Sequence, residues 1–184
     1  MALWIVLGVV VLLVLWAVFT YNRLVRDRVR TENAWSQIDV QLRRRYDLIP
    51  NLIETVKGYA AHEREVFEDV TRARTQAQEA TGVENQAKAE NEITRSVGKL
   101  IAVAENYPEL KANQNFLALQ EELTGTEDKI AYARQFYNDQ VQGYNALIQS
   151  FPASLIVAAT GGRFAKKEFF DIDEPARGPV EVQF

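Results

Sequence analysis

Ile130-Ala131-Tyr132-Ala133-Arg134-Gln135-Phe136-Tyr137-Asn138-Asp139-Gln140-Val141-Gln142-Gly143-Tyr144-Asn145-Ala146-Leu147-Ile148 is the stretch on which the fold turns. Ile130, Ala133, Tyr137, Val141, Tyr144 and Ile148 recur at steps of three and four. Phe116, Leu119 and Leu123 extend the stripe upstream, and Phe151 extends it downstream. A strand would alternate every second residue, whereas this spacing lines one face of a helix. The near-heptad pattern predicts a single helix from about Glu109 to Ser150, with an apolar seam suited to coiled-coil packing. Gly125 is a soft point near its middle.

Two further stripes precede it. Trp35, Ile38, Leu42, Ile49, Leu52, Ile53, Val56, Ala60, Phe67, Val70 and Ala77 form the first, interrupted at Glu63. A proline inside a helix removes one backbone hydrogen bond, so Pro50 predicts a bend or short break near Leu48-Ile49. Thr81-Gly82 marks the stop. Ala87, Ile93, Val97, Leu100, Ile101 and Ala104 form the second stripe, from about Glu84 to Tyr107, ended by Pro108. Such helices are stable only when their stripes are buried against one another. The predicted fold class is therefore all-α, an antiparallel bundle spanning residues 22–152. It has three long helices, or four segments if Pro50 divides the first.

Residues 1–21 have a different character. From Leu3 to Phe19 no residue is charged, and Leu3, Trp4, Leu7, Val11, Leu15, Trp16 and Phe19 mark an apolar run. With Tyr21 it approaches the ~20 residues needed to cross the hydrocarbon of a bilayer. Trp4 at one end and Trp16 and Tyr21 at the other suit the headgroup zones. A cleaved signal peptide fits poorly, because no basic residue precedes the run and no small-residue cleavage site follows it. A retained single-pass cell-membrane anchor is expected. Arg23, Arg26, Arg28 and Arg30 follow the span within ten residues, which predicts a cytoplasmic bundle and an outer N-terminus. The same four arginines are candidate contacts for anionic lipid headgroups.

The 184 residues carry a formal net charge of −4. The basic residues crowd next to the span, while the remainder is acidic. Basic residues without interleaved aromatics, in an acidic chain, argue against nucleic acid as a partner. With no cysteine and one histidine, thiol chemistry and multi-histidine metal sites are excluded. His62-Glu63 opens like a zinc-protease helix, but Val66 stands where the second histidine belongs. Gly161-Gly162 lacks the Lys-Ser or Lys-Thr of a phosphate loop. No nucleophile–base pair stands out, so no enzyme activity and no cofactor is expected.

Arg43-Arg44-Arg45-Tyr46 reads either as a phosphate-gripping cluster or as a solvated face paired with acidic neighbours. Gln37, Gln41, Arg44, Asp47 and Asn51 lie opposite the stripe at helical spacing. Arg44, Asp47 and Asn51 are accordingly candidates for an interaction surface. Tyr137-Asn138 and Tyr144-Asn145 repeat after one heptad and are further candidates, since stripe tyrosines are core or interface residues and a nearby asparagine can fix register. Residues 153–184 form a C-terminal tail. Ala153 to Thr160 is apolar, Gly161-Gly162 breaks it, and Phe164, Phe169 and Phe170 follow. Val180-Glu181-Val182-Gln183-Phe184 alternates as a short strand does. Docked segment and loose tail both stay open.

Several motifs resemble the LemA family. They are Tyr21-Asn22-Arg23-Leu24-Val25, the segment from Ala34-Trp35-Ser36-Gln37 through Leu48-Ile49-Pro50-Asn51-Leu52, Val56-Lys57-Gly58-Tyr59, Glu105-Asn106-Tyr107-Pro108, Ala131-Tyr132-Ala133-Arg134-Gln135-Phe136-Tyr137-Asn138 and Ser150-Phe151-Pro152. The resemblance covers nearly the whole chain and weakens after Gly162. It implies a bacterial membrane protein with one N-terminal span, a helical bundle and no catalytic residues. The expected role is a membrane-anchored scaffold that forms a homo-oligomer and organises or shapes the membrane. Parallel anchors would raise the local concentration for weak helix-face contacts. The alternatives are an adaptor for another membrane protein, such as a protease, and a helical-bundle sensor of a small ligand.

Overall fold

The computed structural model describes residues 1–171, and within them all regular secondary structure is helical. Six helices follow in order: α1 (Ala2–Lys57), α2 (Arg64–Glu79), α3 (Val83–Glu105), α4 (Pro108–Lys111), α5 (Gln114–Gln149) and α6 (Ala153–Ala159). The strand-like end, Val180 to Phe184, lies outside the described residues. The helices contribute to two compact units, one of residues 1–41 and 129–169, the other chiefly of residues 42–128.

In the first unit the early part of α1 packs on the second half of α5. Leu24, Tyr144, Ile148 and Phe164 form its buried cluster, with Tyr21, Val25, Leu147, Ile156 and Val157 packed around them. Farther along, the rings of Trp35 and Tyr137 meet edge-on at 5.3 Å. The pairing runs Leu24 to Ile148 at one end and Trp35 to Tyr137 at the other, so the two helices are antiparallel, as a heptad seam allows. After α6, Gly161 and Gly162 take φ of +59° and +88°, a backbone that a side chain would strain. That turn sends the chain back so that Phe164 reaches the cluster.

Asn145 then holds the returning segment. Its Nδ2 donates to the Lys167 carbonyl at 2.8 Å, and its Oδ1 accepts the Lys167 N–H at 2.9 Å. The Tyr137 hydroxyl donates to the Glu168 carbonyl at 2.9 Å. Burial and the nearby Glu168 carboxylate push the Tyr137 phenol up to about 12, which keeps it a donor. Residues 153–168 are therefore a helix and a docked strap rather than a loose tail. Replacing Asn145 with alanine leaves both main-chain groups of Lys167 unpaired. We expect a loss of about 1–3 kcal/mol, with faster amide exchange at Lys167. Asn145→Asp should fail to rescue, because its carboxylate cannot donate to the carbonyl.

In the second unit Leu42, Ile49, Leu52 and Val56 of α1 share a core with Phe67, Val70, Ala73 and Ala77 of α2. Ala87, Ile93, Val97, Leu100 and Ala104 of α3 and Phe116 and Leu123 of α5 complete it. Two expected boundaries are corrected. Pro50 neither breaks α1 nor divides it, since the helix runs on to Lys57. The break falls at Gly58 to Glu63, where the Tyr59 and Ala60 N–H groups both close on the Val56 carbonyl. Proline's cost in a helix is the unpaired carbonyl four residues back. Here that is Tyr46, and Arg74 Nε donates to its oxygen at 2.7 Å. The helix expected from Glu109 to Ser150 is likewise two, α4 and α5. Asn113 caps the second, its Oδ1 accepting the N–H groups of Asn115 and Phe116 at 2.8 and 3.2 Å, as an N-cap residue does.

Candidate functional site

The largest concentration of buried polar chemistry among the described residues lies within the second unit. The stripe of α1 steps through Ile38, Leu42, Arg45, Ile49, Leu52 and Val56, and that of α3 through Ala87, Glu90, Ile93, Val97 and Leu100. A charged residue therefore occupies a core slot on each helix. Arg45 is 2% exposed and Glu90 0%. They meet as an ion pair, Arg45 Nη1 to Glu90 Oε2 at 3.1 Å. Arg45 also donates to Thr94 Oγ1 at 2.8 Å and pairs through Nε with Glu127 of α5 at 2.8 Å. On the other carboxylate oxygen Glu90 accepts from Tyr46 and from Gln86 Nε2, the latter at 3.0 Å. Gln86 Nε2 also lies 2.8 Å from the Tyr46 hydroxyl.

Burial raises the Glu90 carboxyl above the ordinary glutamate range, against the pull of its donors Tyr46, Arg45 and Gln86. Burial likewise raises Glu127, opposed by Arg45. Burial, reinforced by the Glu90 charge, drives the Tyr46 phenol upward, so it stays a donor at any physiological pH. Most polar groups here are held by another side chain of the set, although Arg45 Nε faces Glu127 only as an ion pair without a hydrogen bond, and such a buried network specifies which helix faces meet. Among the described residues no group of three or more His, Asp or Glu side chains is arranged to hold a metal ion.

The other predicted residues fall in several places. Leu3, Trp4, Leu7, Val11, Leu15, Trp16 and Phe19 are all exposed on α1. The most apolar 18-residue window of that helix has a mean hydropathy of 2.9 and none of it is buried. A helix apolar all round belongs in a buried or lipid setting. Arg23 and Arg30 both reach Asp27, at 3.8 and 3.3 Å, and Arg26 is exposed. Arg28 pairs with Glu32 at 2.9 Å and donates to the Arg163 carbonyl at 3.2 Å, with its side chain still 39% exposed. The hydrogen bond from Arg28 holds the Glu32 carboxyl below its ordinary value.

Arg44, Asp47 and Asn51 are exposed on one face of α1. Arg45 belongs to neither of the readings offered for the arginine cluster, because it is internal. Tyr137 and Tyr144 are corrected too, being buried in the first unit rather than offered on a surface. Asn145 serves the strap, and Asn138, next to Tyr137 in sequence, is half-buried. Trp35 and Ile53, expected in the core, are half-buried. Sequence reasoning missed the Arg45–Glu90 pair, although its signal was there: opposite charges filling the gaps in two apolar stripes.

Comparison with known proteins adds the family. The chain is 26% identical to magnetosome protein MamQ 2 of Paramagnetospirillum magneticum over 182 aligned positions, covering 85% of this chain and 66% of that protein. It is 24% identical to magnetosome protein MamQ of Magnetospirillum gryphiswaldense, with the same coverage. It is 27% identical to protein LemA of Metamycoplasma hominis over 131 positions, covering 71% of this chain and 60% of that one. The chain thus spans just under two thirds of the length of the relatives it matches. The LemA family sequence model matches residues 34–184, which takes in α1 from Ala34 onward and the helices that pack with it. On that match the chain belongs to the LemA family.

Proposed function

We propose that this protein is a membrane-anchored, non-enzymatic helical scaffold that self-associates and organises the membrane it sits in. The carrying observation is that the all-round apolar turns of α1 and the core positions from Leu24 to Val56 lie on one unbroken helix. The span is expected to place the arginine-flanked side, and with it the helical units, in the cytoplasm. A non-catalytic role is favoured because the buried acid, phenol and guanidinium are committed to one another. The named relatives are described by the structure they belong to, the magnetosome, rather than by a reaction. That favours an organising role as well.

The deciding test is the mass of the detergent-extracted full-length chain by native mass spectrometry, with no partner added. A discrete homo-oligomer larger than a dimer is expected. A monomer or dimer defeats the scaffold and favours the adaptor for another membrane protein. A ligand-dependent rise in melting temperature would instead favour the sensor. Replacing Arg44, Asp47 and Asn51 together with alanine should leave the helical circular dichroism unchanged, as exposed positions do, while the oligomer dissociates. An unchanged mass in that triple variant removes this face from the assembly.

A further inference from the structure

An apolar face remains on the first unit, beside the end of the span. From Gln149 to Gly162 the chain carries no charge. α6 turns Ile156 and Val157 inward onto the Leu24 cluster. Its outer side shows Leu155 and Ala158, and Phe151 is exposed in the turn just before it. Phe151 is 80% exposed and Leu155 58%. Single exposed apolar residues are ordinary, but the level at which these lie is not. Trp35 meets Tyr137, and Leu24 shares a cluster with Tyr144 and Ile148. Stepping back along α1 as α5 advances brings Phe151 level with Tyr21, two residues beyond Phe19. α6 itself sits at that height, since its Ile156 and Val157 pack with Tyr21 and Val25 on one cluster, and the Phe164 ring after it lies 5.7 Å from that of Tyr21.

We propose that the outer face of α6, Leu155 and Ala158, together with Phe151 in the turn before it, is a second membrane contact that lies in the headgroup–acyl boundary next to the span. The occupant is the lipid surface, because the face is continuous with the end of the apolar helix. Arg23 and Arg26 follow the end of the span on α1, and the Arg163 guanidinium lies over the Tyr21 ring at the same level, the positive charge that suits an interfacial helix on anionic lipid. The inference rests on the anchored reading above.

The native chain has no cysteine, so single cysteines can carry an environment-sensitive dye. Phe151→Cys and Leu155→Cys are labelled in the full chain, with Leu12→Cys in the span and Tyr132→Cys on the exposed flank of α5 as references. Each is reconstituted into phosphatidylcholine–phosphatidylglycerol vesicles containing nitroxide lipids. With the nitroxide near the headgroups, dyes at 151 and 155 should shift to the blue and lose on the order of half their emission, as for side chains about 5–10 Å into the boundary. The dye at 132 should do neither. Emission at 151 and 155 indistinguishable from 132 overturns the inference. So does a blue shift without quenching, which would mean that protein covers the face. Quenching of the dye at 12 by a nitroxide at the bilayer centre, in the same vesicles, shows that the anchor stands even when α6 fails. If the dye at 12 is unquenched, the anchor and the contact built on it fall together.

Discussion

Replacing Arg45 with methionine should destabilise the protein by about 3–5 kcal/mol at neutral pH, the range for removing one partner of a buried ion pair. Glu90 would be left fully buried with only Tyr46 and Gln86 as donors, and Glu127 would lose its cation. Replacing Glu90 with leucine in the same chain should recover most of that loss. The recovery is incomplete because the Tyr46 hydroxyl, which still accepts from Gln86 Nε2 at 2.8 Å, loses the carboxylate it donated to, whereas Glu127, with its side chain 37% exposed, can be solvated. The pH dependence follows from the direction of the Glu90 shift. Burial raises that carboxyl in the folded chain, so the folded state holds the proton more readily than the unfolded one. Its contribution to stability therefore declines as pH rises from the ordinary glutamate value through the folded one. Arg45 pulls the folded value down, and its loss moves it higher. The deficit of Arg45→Met should be small in acid, where Glu90 is protonated in both proteins, and complete at neutral pH. Urea midpoints across a pH series read both effects. A deficit independent of pH, or a double variant no better than the single, would show that the pair does not act as described.

Removing Arg74 is the second large effect. Arg74→Ala leaves the Tyr46 carbonyl, on the helix that Pro50 interrupts, without the donor that now holds it at 2.7 Å. An unpaired buried acceptor costs about 1–3 kcal/mol. Pro50 is exposed, so alanine fits there, and it restores the N–H that a helix would aim at that same carbonyl. Pro50→Ala should thus rescue Arg74→Ala while changing the parent chain little. Thermal unfolding of the four proteins measures the coupling. Additive effects would mean that Arg74 stabilises α1 by some route other than this carbonyl.

The parts of the fold that are legible in sequence rest on local periodicity. The seam of α5 from Leu123 to Ile148, the end of α3 before Pro108 and the apolar run of α1 all follow from residues within a few turns of one another. The misplaced break shows where that reasoning stops. Pro50 is a breaker by local rules, and what rescues it is a guanidinium 24 positions away on another helix. Arg45 reads as one of three consecutive basic residues until its slot in the stripe is set beside that of Glu90, 45 residues later. The docking of residues 163–169 was equally non-local, because it depends on the side chains of Tyr137 and Asn145 presented by α5. The exposed face of Arg44, Asp47 and Asn51 was placed by periodicity, but what it meets is a property of a second molecule.

The continuity of α1 also has a mechanical meaning. At 56 residues it is about 84 Å long, with no hinge between its all-round apolar turns and those that carry Leu24, Ala34 and Ile38. A span joined to its domain by a loop can lean to match a thinner or thicker bilayer while the domain ignores it. On the anchored reading proposed above, a lean imposed by hydrophobic mismatch would be shared by every turn up to the first core residues. The thickness of the host membrane would thereby become an input to the attitude of the first unit, and copies in one patch of uniform lipid would be inclined alike.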